Sequence, residues 1–138
     1  MAMKIIDLHH AGKGEIMRQV LILLPALIHT YIFVLESLLW GRTRTNKVFA
    51  ISEEDARVTK QMAFNQGVYN LMLAAAIILG FLLSLTTDMA AAGKVLAAYG
   101  LGSILVAGVV LLASSPKLWK SALVQIVPAT AGLAAILV

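Results

Sequence analysis

Two ionisable side chains, His29 and Glu36, sit deep within a strongly apolar stretch of this 138-residue chain. A charged group at the middle of a membrane helix costs about 2.5–3.5 kcal/mol on insertion scales, so each needs a physical reason to be there. Seven residues separate them, which on a straight helix puts both on nearly one face, about 10 Å apart along the axis. Trp40 lies one turn further on. Downstream, FNQGVYN gathers Asn65, Gln66, Tyr69 and Asn70 around Gly67, with Asn65/Tyr69 and Gln66/Asn70 paired at i,i+4 spacing. Gln125 lies ahead of Pro128, whose missing N–H frees the Val124 carbonyl. A carboxylate and an imidazole among amide and phenol groups are the equipment of acid–base chemistry, with Glu36 and His29 as the candidate proton carriers. The same groups, with Tyr31 and Trp40, are also equipped to bind the polar head of a lipophilic molecule. Alternatively, they are interhelical hydrogen bonds that hold a bundle together, each contributing ~0.6 kcal/mol on average in membranes.

The elements that must carry these residues can be read from composition. The chain is 60% hydrophobic and 13% charged, with a mean hydropathy of +0.89. A soluble domain is nearer ~45–50% apolar and ~25% charged, so there is too little polar side chain to cover a globule. Four stretches reach the roughly 20 apolar residues that a spanning helix requires: 20–40, 62–85, 93–113 and 118–138. Short links after the second and third force antiparallel neighbours. The fold class expected is therefore all-α, a polytopic membrane protein with an antiparallel bundle of four transmembrane helices. Counted inward from the charged link between the first two spans, Asn65, Glu36 and Gln125 fall at similar depth. That predicts a polar pocket between the first, second and fourth helices.

That long link reads GRTRTNKVFAISEEDARVTKQ. Gly41 suits a left-handed helix end, and Ser52 followed by Glu53, Glu54 and Asp55 reads as an N-cap with acids in the first turn. The second helix is thus expected to start at Glu53 and enter lipid near Met62, with Phe49 and Ile51 at the interface or stapling the helix start. Seven basic residues (Arg42, Arg44, Lys47, Arg57, Lys60, Lys117, Lys120) face four (Lys4, Lys13, Arg18, Lys94) across the bilayer. The positive-inside rule places the 41–61 link in the cytoplasm and both termini outside the inner membrane. Polar residues 1–17, which include His9 and His10, read as a leader ahead of a membrane domain at 18–138. Trp40 and Trp119 also suit interface anchoring.

The third span carries a small-residue stripe, Gly93, Ala97, Gly100 and Ala107, and an Ala98–Gly102 pair, suited to packing within the bundle or between copies of the chain. The partners implied are the lipid bilayer and a lipophilic small molecule. Nucleic acid is not among them, because the net charge of +4 sits at the ends of apolar segments. Cysteine is absent, which excludes a thiolate nucleophile, and there is no phosphate loop, HExxH or GxSxG; no metal site is indicated, and the cofactor stays open, with a bis-His haem between subunits as a less favoured alternative.

HTYIFVLESLLW, FNQGVYNLMLAA and QIVPATAGL, in that order and spacing, resemble a family of small bacterial and fungal four-helix membrane proteins, domain of unknown function 1304. The resemblance covers about 18–138. It implies the fold class, and places the family pattern on His29, Tyr31, Phe33, Glu36, Trp40, Asn65, Gln66, Gly67, Tyr69, Asn70, Gln125 and Pro128, without a settled activity. The chain departs from the pattern at Ser37, where a larger apolar residue is usual, and at VAGVVLLAS in the third span. A looser similarity, in Arg57, Lys60 and Asn65, is to the trimeric membrane proteins of eicosanoid and glutathione metabolism. The functions weighed are a ligand-binding membrane protein with acid–base chemistry, a scaffold or homo-oligomer without ligand, a small proton-coupled transporter, and a glutathione-dependent membrane enzyme.

Overall fold

A computed structural model describes residues 2–137, with side chains from Gly12 onward; His9 and His10 lie outside the side chains described. Helix α1 (Ala2–Phe33) runs without a break through the boundary expected at residue 17 and passes into a π-helical turn at Val34–Leu38. Two short helices come next, α2 (Thr43–Phe49) and α3 (Glu53–Val58), and then the long α4 (Lys60–Ser84) and α5 (Ala90–Ser114). A 3-10 turn at Pro116–Leu118 leads into α6 (Trp119–Leu137). Four segments are long and apolar enough to cross a bilayer: Gly12–Leu38, Lys60–Ser84, Ala90–Ser114 and Pro116–Leu137. The molecule is a membrane protein built as an all-α four-helix bundle. Around the ring the order is α1, α4, α5, α6, each packed on its two neighbours, while α1 and α5 stand diagonally opposite.

Close packing is concentrated in one half of the bundle. There Ile22 and Ala26 of α1 meet Ala74 and Ile77 of α4, Leu101 and Ile104 of α5 and Ala129 of α6. Small residues set the helix spacing, as they must where lipid offers no hydrophobic incentive for helices to associate. A Cβ on Gly80 would run into the backbone of Ala97, and one on Gly93 would stand 2.6 Å from the Gly80 carbonyl. Pro25 lies inside α1 and leaves the Leu21 carbonyl without its usual donor. Gly132 of α6 approaches that same carbonyl so closely that a Cβ there would come within 2.9 Å of it. The stripe at Gly93, Ala97 and Gly100 is buried as expected, but Ala107, on the same stripe, belongs to a cavity wall instead.

The link between the first two spans differs from expectation. Gly41 does adopt a left-handed conformation, with φ of +84°. Ser52 caps α3, its Oγ accepting the Asp55 N–H at 3.0 Å. However, the helix that starts at Glu53 breaks at Thr59, whose N–H and hydroxyl both donate to the Asp55 carbonyl, at 2.9 and 2.6 Å. Residues 43–49, read from sequence as open link, form α2. Phe49 of that helix packs on Trp40 with ring centroids 5.0 Å apart, so a tertiary contact supports a segment whose own propensity is poor.

Candidate functional site

The π-turn at Val34–Leu38 carries Glu36, and its longer i→i+5 bond, Leu39 N–H to the Val34 carbonyl at 3.0 Å, re-aims the side chains beyond it. Such single turns recur at functional sites. The turn is held against α4 by Ser37, whose hydroxyl donates to the Phe64 carbonyl at 3.1 Å. Gly67 makes the approach possible: a Cβ there would strike the Ser37 Oγ and stand 3.1 Å from the Glu36 Cβ. Ser37 is thus the residue that seats the turn.

Asn70 joins the two ionisable groups. Its Nδ2 donates to Glu36 Oε2 at 2.8 Å and to the Gln66 carbonyl at 3.0 Å, and its Oδ1 lies 2.6 Å from His29 Nδ1. Two acceptors around the amide nitrogen fix its orientation, because the Gln66 carbonyl cannot donate. His29 must therefore carry its proton on Nδ1 and donate it to Asn70. In the neutral ring Nε2 is then a bare acceptor, and it is buried without a partner, the whole side chain being 1% exposed. Glu36 is 8% exposed, and its Oε1 accepts from no donor among the described residues.

Beside this chain lies a cavity of about 680 Å³, within the ordinary size of small-molecule sites. All four spans line it. From α1 and the π-turn come Tyr31, Leu35 and Glu36, with Trp40 just beyond; from α4 come Gln66, Tyr69, Asn70 and Leu73; from α6 come Ser121, Val124 and Gln125. Ala107 and Leu111 of α5 contribute a further wall, so the cavity extends beyond the first, second and fourth helices to the third. Val48, Phe49 and Ile51 line it from the link. Tyr31 and Tyr69 are 59% and 68% exposed, so the cavity is open between helices to the surroundings of the bundle.

Most of the residues singled out from sequence are thereby brought together. Glu36, Asn70, Gln66, Tyr69, Tyr31, Trp40 and Gln125 all line the cavity, and His29 stands behind Asn70 without reaching it. Gln125 donates to its own helix, to the Ser121 carbonyl at 3.3 Å. The Trp40 indole N–H donates to the Ala56 carbonyl at 2.9 Å, tying the end of the first span to α3. Asn65 is the exception. It is exposed and lines no part of the cavity, because it stands 100° around α4 from Gln66 and further still from Gly67, which marks the face on α1. Arg57, one of the residues behind the looser similarity, is also away from the cavity, in an exposed ion pair with Glu54 at 2.6 Å. The lining residues that sequence reasoning missed are mostly apolar and come from every span and from α2, among them Ile32, Leu35, Val48, Leu73, Leu111 and Val124; they carry no signal beyond hydrophobicity.

Among the described residues no three His, Asp or Glu side chains come together to hold a metal ion. What the arrangement offers is a carboxylate oxygen and several amide and phenol groups set into a mainly apolar wall. No curated protein and no solved structure matches the chain. Residues 23–137 do match the family described as "protein of unknown function (DUF1304)", and with that span covered the chain belongs to this family.

Proposed function

We propose that the protein binds a small lipophilic molecule in the cavity between its spans, with Glu36, Asn70, Gln66 and Gln125 as the polar contacts. The observation that carries this reading is the hydrogen-bonded chain from His29 through Asn70 to Glu36 along one wall of a cavity otherwise lined by apolar and aromatic side chains. A buried network that only held helices together would have no use for an adjoining space of about 680 Å³ or for a carboxylate oxygen without a donor. Where the bound molecule is also altered, Glu36 is the group placed to exchange a proton with it, since Glu36 lines the cavity and His29 does not. The orientation we propose puts the 41–61 link, and with it the cavity, on the cytoplasmic side of the inner membrane, in accord with seven basic residues against four.

The test is mass spectrometry of the organic extract from protein purified in a mild detergent. A lipophile in near-stoichiometric amount is expected with the native chain, falling at least tenfold in Glu36→Gln at unchanged thermal stability. Recovery of bulk phospholipid alone from both proteins, together with loss of stability in the variant, would show the polar residues to be structural.

A further inference from the structure

The cavity concentrates two kinds of side chain. Four of the nine aromatic residues in the chain, Tyr31, Trp40, Phe49 and Tyr69, line it, and so does one carboxylate, Glu36. Burying a carboxylate is costly unless a cation or several donors compensate it. Glu36 has one donor, the Asn70 amide, and no ion pair; the salt bridges among the described residues are Arg18–Glu15 and Arg57–Glu54, both away from the cavity. Lys120 is the one basic residue lining the space. It is exposed in the first turn of α6, and its Nζ lies 5.5 Å from the centre of the neighbouring Trp119 ring. The remaining polar groups in the wall, Gln66, Asn70, Ser121 and Gln125, are neutral.

Aromatic faces present negative charge to an approaching cation, and the attraction grows when water is excluded. A carboxylate without a counter-ion, set among four aromatic rings in an apolar cavity, is complementary to a positive charge on a greasy body. An anion would meet Glu36 unfavourably. We infer that the cavity takes a lipophilic organic cation, an amine or onium ion carrying aromatic or alkyl groups, with its charge near Glu36 and its substituents against Tyr31, Trp40, Phe49 and Tyr69. This rests on the binding role proposed above and assigns its ligand class.

Three probes of similar bulk separate charge from shape: tetraphenylphosphonium, tetraphenylborate and neutral triphenylmethanol. Binding is read from Trp40 fluorescence in a Trp119→Phe background, with the chain in nanodiscs and empty nanodiscs subtracted. Tetraphenylphosphonium is expected to bind saturably and at least tenfold more tightly than tetraphenylborate. Glu36→Gln should weaken the phosphonium at least tenfold and triphenylmethanol by no more than about threefold. Tyr31→Leu, at a side chain that is 59% exposed and makes no hydrogen bond, keeps the test alive should Glu36→Gln misfold; it should weaken the phosphonium about three- to fivefold. Equal binding of the two ions, or phosphonium binding indifferent to Glu36→Gln and Tyr31→Leu, would overturn the cation assignment. Binding of triphenylmethanol without the phosphonium would overturn it too, while leaving the binding role standing. Failure of all three probes would remove both.

Discussion

The half of the bundle that holds Ile22, Ile77 and Leu101 and the half that holds Glu36 and Asn70 are built from the same four helices. The second carries an open cavity of about 680 Å³; beside Arg18 and Lys94 at the other end there is a cleft of about 80 Å³. The difference lies in which residues face the neighbouring helix. In the filled half, glycine and alanine bring backbones into contact, and Ile77, Leu101 and Ile104, all fully buried, occupy what remains. In the open half α1 stays against α4 through Gly67 and Ser37, and α6 stays against α5 where Gly108 meets Ile126 and Gln125. Among the described residues no glycine joins α1 to α6 there, and side chains of both helices line the cavity. Packing supplies the frame, and its local absence supplies the site.

Substitutions that invert the character of either half test this contrast. Gly80→Val should have the largest effect, destabilising the bundle by about 3 kcal/mol or more in a detergent unfolding titration, because the added carbons meet backbone atoms that cannot step aside. Asn70→Leu comes next, at about 2–3 kcal/mol, since it strips partners from Glu36 and His29 together; Asn65→Leu, on the exposed side of the same helix, should stay within about 0.5 kcal/mol. Gly67→Ala should cost about 1–2 kcal/mol, and combining it with Ser37→Ala should recover part of that loss, because the new Cβ collides first with the Ser37 hydroxyl. Ile32→Ala, beside the cavity, should cost less than about 1 kcal/mol, whereas Ile77→Ala in the filled half should cost about 2 kcal/mol or more. Equal costs at Ile32 and Ile77 would mean that the two halves are packed alike.

The four spans were legible in the sequence because hydrophobic length in a bilayer is a one-dimensional signal; the last three expected spans agree with the observed ones within about three residues at each end, whereas the first begins at Gly12, eight residues before the expected start. His29 and Glu36 were legible for a similar reason: ionisable groups in an apolar run stand out whatever the fold. The rotation of each helix was harder to read. Asn65 and Gln66 are adjacent in sequence, and only the face chosen by Gly67 decides that Gln66 reaches the cavity and Asn65 does not. The π-turn leaves no periodic signature over five residues, and α2 depends on Trp40 and Phe49 meeting across a bend that local propensity does not predict. The wall contributed by Ala107 and Leu111 could not be foreseen, since nothing in an apolar helix distinguishes residues facing a cavity from those facing lipid.

The most direct test of the central claim, that the wall organised by Asn70 is the binding wall, is side-chain amide NMR of asparagine-labelled protein titrated with triphenylmethanol. The chain contains three asparagines, Asn46, Asn65 and Asn70, so each amide pair can be assigned by substitution. A saturable shift of the Asn70 pair is expected, with the Asn65 pair unmoved. An Asn70 signal that ignores the ligand while the neutral probe binds, or Asn65 and Asn70 shifting together as for non-specific partition into the surrounding lipid, would contradict it.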